Sequence, residues 1–141
     1  MDNSFSLKDK VIVVTGGTGI LGGAFVNAVV EAGGAVGILG RNAQVAQERA
    51  DAINAAGGQA IALVADVMNE KELKAAKTLV LERFGKIDGL VNAAGGNQPE
   101  GVLAPEQDIF NMDLAGMKKV MDLKLWGTII PTQISGQAIA A

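Results

Sequence analysis

Cysteine, histidine and tyrosine are absent from the 141 residues. Without cysteine there is no disulfide framework, no thiolate nucleophile and no zinc–thiolate site, and a cytoplasmic setting is expected. Without histidine the commonest metal ligand and the usual general base near neutral pH are missing, so no metal site is expected. Without tyrosine the chain lacks the phenol that serves as the acid in many carbonyl reductions. Positive charge is not in surplus either: the net charge of −3 argues against a nucleic-acid footprint or a basic membrane-binding face. No run approaches the roughly 18 apolar residues of a membrane span, and the polar stretch from Met1 to Lys10 does not have the pattern of a signal peptide.

What is present is apolar and glycine-rich: 49% hydrophobic residues, 19% charged residues and 19 glycines. One domain over residues 1–141 is expected, and a chain of this length buries roughly 68–70% of its unfolded surface. The stretch Val11 to Gly22, VIVVTGGTGILG, organises the rest. Its β-branched run reads as a short, fully buried strand. A glycine turn follows, and a helical pattern starts near Gly19. Gly17-Thr18-Gly19-Ile20-Leu21-Gly22 satisfies G-x-G-x-x-G, the fingerprint of dinucleotide binding. One glycine permits a sharp turn, one lets a pyrophosphate approach, and one lets the helix pack closely on the strand. Unpaired N–H groups at the helix start, with the positive end of the dipole, would hold the phosphates. In a chain this rich in glycine the motif alone is equally a turn without a ligand, so its context decides.

That context is a βαβ pattern. Leu21, Phe25, Ala28 and Ala32 recur at helical spacing and predict the core-facing stripe of a first helix, stopped by Gly33-Gly34. Ala35 to Leu39 is the second strand. Asn42 is a good N-cap for a helix through about Ala56, closed by Gly57-Gly58. Ala60 to Ala65 is a third strand ending in Asp66-Val67. Asn69 and Glu72 have capping-box spacing ahead of a third helix with Leu73, Ala76, Val80 and Phe84 on one face and Gly85 as its stop. Ile87 to Val91 is the fourth strand, leading into Asn92-Ala93-Ala94-Gly95 and a long loop from Gly96 to about Asp108. The remainder is helical from near Asp113, with a break or kink expected at Pro131.

Such alternation predicts an α/β, Rossmann-like parallel sheet with helices on both faces and strand order 3-2-1-4. The ligand belongs where that order reverses, over the carboxyl ends of the strands. The glycine turn, including Gly16, together with Arg41, Asp66 and the Asn92 segment, all lie at such ends. Gly40 stands where a site for NAD(H) usually carries Asp or Glu, and Arg41 follows it, a guanidinium able to pair with a 2′-phosphate. NADP(H) is therefore favoured over NAD(H). The bland alternative is a solvated arginine near a helix start.

With these residues assembled, the chain resembles the N-terminal half of the short-chain dehydrogenase/reductases. The resemblance runs from about Leu7 to the C-terminus and rests on Thr15 to Gly22, on Asp66-Val67 and on Asn92 to Gly95. The middle glycine at Gly19 departs slightly from the commonest family spacing. Gly95-Gly-Asn-Gln-Pro99 and Asp122 to Thr128 are similar to the mannonate/fructuronate-reductase-like members. The resemblance implies that Asp66 and Val67 contact adenine, and that Asn92, Ala93, Ala94 and Gly95 line the ribose side of the cofactor and steady the central strands. The alternatives are a strand-end turn residue for Asp66 and a structural hydrogen-bonding residue for Asn92. Lys124 stands where family members carry a catalytic Asn. Met117, Val120, Met121, Lys124 and Thr128 share one helical face, from which a lysine can equally snorkel to solvent.

The family's Ser and its Tyr-x-x-x-Lys pair have no counterpart in these residues. The resemblance implies the NAD(P)-binding portion of an oxidoreductase, truncated relative to a full doubly wound fold and inactive by itself. Two alternatives stand beside it: a non-catalytic dinucleotide-binding module, and a fragment that functions only when another chain completes it. A small-molecule substrate, a sugar acid among the candidates, is expected only of the completed site. An unpaired fourth strand favours self-association, so a homo-oligomer is expected, with no nucleic-acid or membrane partner.

Overall fold

A computed structural model describes residues 4–96 and 99–141. Asn97 and Gln98, part of the mannonate-reductase-like stretch, lie outside the described residues, as do residues 1–3. In chain order the elements are β1 (Val11–Thr15), α1 (Ile20–Glu31), β2 (Ala35–Gly40), α2 (Ala43–Ala55), β3 (Ala60–Val64), α3 (Glu70–Phe84), β4 (Gly89–Asn92) and α4 (Leu114–Ile139). All strand pairs are parallel and the order is β3-β2-β1-β4, as expected. The central register aligns Val13 with Gly37 on one side and with Leu90 on the other.

Side chains alternate across a strand, which gives the sheet two apolar faces. Val14, Val36 and Ile38 pack with Val26 and Val29 of α1 and Ala46 and Ala50 of α2. Val11, Val13, Leu39 and Leu63 pack on the opposite face with Leu73, Ala76 and Val80 of α3 and Ile134 of α4. The fold is thus a Rossmann-like sheet covered on both faces.

Helix starts follow the sequence closely. Asn42 Oδ1 accepts from the Val45 N–H, Asn69 Oδ1 from the Glu72 N–H, and Asp113 Oδ1 from the Ala115 N–H. Gly85 ends α3 at φ +80°, a left-handed cap. The capping box itself is altered. Glu72 reaches past Asn69, and its carboxylate accepts from the Asp66 N–H at 2.7 Å, which ties the strand-end turn to α3.

Three expectations are corrected. The buried face of α1 is Gly22, Val26 and Val29, whereas Leu21 and Phe25 are exposed. Gly22 sits directly on the preceding turn, and that contact rotates the helix by one position, about 100°, from the predicted stripe. The fourth strand starts at Gly89 rather than Ile87: Ile87 is buried, but pairing with β1 begins at Ile12↔Gly89. Ahead of it, Asp88 donates its N–H to Val11 O and accepts the Val11 N–H on Oδ2, both at 2.8 Å. Finally, of the break or kink expected at Pro131 the break is absent: α4 is one helix from Leu114 to Ile139. Pro131 forgoes one backbone bond, to the Gly127 carbonyl, and its ring is fully buried in the core, so packing offsets the lost bond. The Thr128 and Thr132 hydroxyls add bonds to the carbonyls of Lys124 and Thr128.

Candidate cofactor site

β1 ends in Thr15, which is fully buried although polar. Its Oγ1 accepts the N–H groups of both Ala93 and Ala94 at 3.1 Å and directs its own proton to Val91 O at 3.5 Å. One hydroxyl therefore binds the segment after β4 to the end of β1, across the point where strand order reverses. The next residue, Gly16, has φ +64°, and a Cβ there would stand 2.5 Å from Ala93 O. The sharp turn thus falls on Gly16, one position ahead of the G-x-G-x-x-G set. Close packing falls on Gly22, where a Cβ would lie only 1.9 Å from Gly16 O.

This packing leaves the turn's donors open. The Gly17 N–H bonds Leu39 O and the Gly19 N–H bonds Gly16 O, but among the described residues no group accepts from the N–H of Thr18, Ile20, Leu21 or Gly22. No acidic residue stands in the first turn of α1. By contrast, α3 carries Glu70 and Glu72 in its first turn. Four free N–H groups at an unneutralised helix N-terminus form a cradle for an anion.

The other predicted residues fall around this cradle. Arg41 follows β2 and is exposed. Beside it, Gly40 is covered by Thr18: a Cβ at position 40 would lie 2.5 Å from Thr18 Oγ1 and 2.7 Å from Cγ2. Asn42 is committed to capping α2. Asp66 Oδ1 accepts the Met68 N–H at 2.9 Å. Val67 is buried, with its Cγ2 against Gly127 of α4. Asn92 donates from Nδ2 to Thr132 Oγ1 at 3.0 Å, so α4 holds the amide at the mouth of the site. Gly95 borders open space. Lys124 is exposed on α4, eight residues and therefore about 12 Å along the axis from Thr132. Its helical face is divided: Val120 is buried and Met117 half-buried, whereas Met121 and Thr128 are exposed.

Sequence reasoning missed four participants. Thr15 enters the sequence reading only as the first residue of the glycine motif and Thr132 not at all, since their partners lie 40 to 79 residues away. The spacing of Glu72 points to a cap at Asn69, and nothing local points to its bond to the Asp66 N–H. Arg49 touches the turn from α2, through bonds spanning 30 and 32 residues. A groove of about 440 Å³ lies at the opposite ends of the strands, walled by Lys8, Lys10, Gly34, Gly58 and Lys86. There Lys86 pairs with Asp88 at 3.2 Å. The Val11 N–H, with help from Lys86, holds the Asp88 carboxyl below the usual carboxylate value against the opposing effect of desolvation. Among the described residues no group of three or more acidic side chains could hold a metal ion, and no helix is long and apolar enough to cross a membrane.

A parallel 3-2-1-4 sheet with a glycine turn of unpaired N–H groups at its reversal point defines the dinucleotide-binding class of fold. The family model for short chain dehydrogenases matches residues 10–139, and the chain belongs to that family. An uncharacterised oxidoreductase of Bacillus subtilis, UxuB, is 35% identical over 95% of this chain and 51% of its own length. The 7alpha-hydroxysteroid dehydrogenase of Escherichia coli K12 is 30% identical over 88% of this chain and 46% of its own length. Among solved structures, one from Haemophilus influenza assigned as a D-mannonate oxidoreductase, with bound NAD, superposes with a TM-score of 0.84 at 26% identity. It matches 95% of this chain and 51% of its own. A 7 alpha-hydroxysteroid dehydrogenase complexed with NADH and 7-oxo glycochenodeoxycholic acid superposes with a TM-score of 0.82 at 29% identity over 98% of this chain and 52% of its own. The chain thus spans about half the length of the relatives it matches.

Proposed function

We propose that the chain forms the nicotinamide-dinucleotide-binding portion of an oxidoreductase, with the pyrophosphate on the four free N–H groups of Thr18, Ile20, Leu21 and Gly22. That cradle is the observation that carries the reading. Asp66 and Val67 then border the adenine, and Asn92 to Gly95 the ribose side. Binding of nucleotide without turnover is expected of these 141 residues. Carbonyl reduction needs a proton donor beside the hydride acceptor, and the chain holds no Tyr or His. Ser135 lies half-buried on α4, and the Ser6 hydroxyl accepts the Lys8 N–H. Lys124 is the residue placed at the nicotinamide end, and a sugar acid is the substrate class for the completed site. Titration with NADPH and NADH, followed by nucleotide fluorescence, tests binding. Enzyme-proportional oxidation of sugar acids or simple alcohols by a preparation of verified 141-residue mass would refute the lack of turnover.

The cofactor favoured is NADP(H), although the two structural neighbours above carry NAD and NADH. The support is steric and electrostatic. Thr18 fills the space over Gly40 in which an acidic side chain would bind the ribose 2′-hydroxyl, and Arg41 stands exposed next to it. Hydrogen bonds to charged groups contribute on the order of 1.5–3 kcal/mol. Arg41→Ala should therefore weaken NADPH binding roughly ten- to a hundred-fold and spare NADH. Equal affinity of the unmodified chain for the two nucleotides would remove the preference.

A second reading follows from β4, which pairs with β1 alone among the described strands and leaves its other edge open. Another chain, or a second copy of this one, would complete the sheet there. Leu114, Met121, Leu125 and Ile129 of α4 are exposed and apolar, which favours self-association. A concentration-independent monomer in sedimentation would exclude the second copy.

A further inference from the structure

Arg49 of α2 reaches the glycine turn. Its Nη1 donates to Gly17 O and, at 2.9 Å, to Gly19 O. The guanidinium lies against α1 where Gly23 has no side chain: a Cβ at 23 would stand 2.6 Å from Nη1 and 3.0 Å from Cζ. Gly23 lies outside the G-x-G-x-x-G set, and its lack of a Cβ has a use here, as the seat of this guanidinium.

We propose that Arg49 is a positioning residue for the nucleotide-binding turn, holding the Gly17 and Gly19 carbonyls on the α2 side so that the Thr18 and Ile20 N–H groups face the opposite way. The inference rests on the dinucleotide reading above. Its physical step is peptide planarity. In a trans peptide unit the C=O of one residue and the N–H of the next point in opposite directions. Pinning the Gly17 carbonyl therefore orients the Thr18 N–H, while the Gly19 carbonyl, and with it the Ile20 N–H, is held jointly by Arg49 and by the Gly23 N–H of α1. The bonds are charge-assisted, hence stronger than neutral ones. Glycine-rich segments otherwise sample many conformations, and a donor array already ordered before binding avoids that ordering cost when the anion arrives. Among the described residues no other Lys or Arg side chain is hydrogen-bonded to this turn.

Three variants test the clamp: Arg49→Ala, Arg49→Lys and Gly23→Ala, the last displacing the guanidinium while keeping it in the chain. Arg49→Ala should weaken NADH and NADPH by the same factor, about tenfold. Arg49→Lys, which keeps the charge and a donor, should recover part of the loss. Gly23→Ala should weaken both nucleotides likewise, and adding it to Arg49→Ala should cost nothing more, since each change removes the same contact. Amide hydrogen exchange at Gly17 and Gly19, the bonded N–H groups of the turn, should quicken without nucleotide in Arg49→Ala and Gly23→Ala. Unchanged affinities, or a loss confined to NADPH, would overturn the proposal, the latter by making Arg49 a direct phosphate contact. If the unmodified chain bound neither nucleotide while exchange still quickened, the functional reading would fall and the clamp on the turn would stand. Exchange that did not quicken would overturn the clamp. Should Arg49→Ala fail to fold, the lysine and Gly23 variants carry the same comparison.

Discussion

Thr15→Val replaces a fully buried hydroxyl by a methyl of nearly the same volume. The change removes the acceptor of the Ala93 and Ala94 N–H groups and the donor to Val91 O. Leaving a buried polar group without its partner costs roughly 1–3 kcal/mol. The two N–H groups are only partly buried, so the lower end applies to each. The 3.5 Å contact to Val91 O adds little, and the sum is about 2 kcal/mol against a typical total stability of about 5–15 kcal/mol. With a urea slope of about 1–3 kcal/mol/M, the midpoint should fall by about 1 M. Thr15→Ser keeps the hydroxyl and loses one methyl, which costs about 1 kcal/mol. The order of stability should therefore be wild type, then Ser, then Val. Equilibrium urea unfolding gives the energies, and amide exchange at Ala93 and Ala94 should quicken in the Val variant alone. A Val variant as stable as the Ser variant would show that this hydroxyl does not hold β1 to the segment after β4.

Two further outcomes follow from the packing and from the lower end of the sheet. Leu21→Gln should change stability by less than about 0.5 kcal/mol, whereas Val26→Ala should cost about 2–3 kcal/mol; thermal unfolding of the pair checks which face of α1 is buried. Asp88 has a carboxyl held below its ordinary value of 3.8 by the Val11 N–H and Lys86. Its contribution to stability is therefore fully present above that value and is lost as pH falls through the lower, folded-state value. Stability of Asp88→Ala should lie below that of wild type at neutral pH, and the difference should close in acid, as read from urea midpoints at stepped pH.

Much of this molecule was legible from local pattern. The β-branched run at Val11–Val14, the glycine stops and the Asn caps act within a few residues of themselves, so strand and helix order and the 3-2-1-4 sheet could be read without a structure. The glycine turn was legible for the same reason: G-x-G-x-x-G next to a buried strand encodes backbone geometry directly. The rotation of α1 was not. It depends on how closely Gly22 approaches Gly16 O, a contact between the helix and its own lead-in turn that hydrophobic periodicity does not register. Likewise Pro131 predicts a break from its own chemistry, whereas α4 continues through it with the ring buried in the core. The supports of the candidate site lay furthest from the sequence. Thr15 to Ala93, Asn92 to Thr132 and Arg49 to Gly17 join residues 32 to 78 positions apart. Each such bond exists only because a parallel sheet brings the carboxyl ends of its strands together with the helices beside them. Sequence by itself determined where the glycine turn lies and which strand and helix it joins. Tertiary packing decided which side chains hold that segment in place, because a hydrogen bond depends on distance in space and not along the chain.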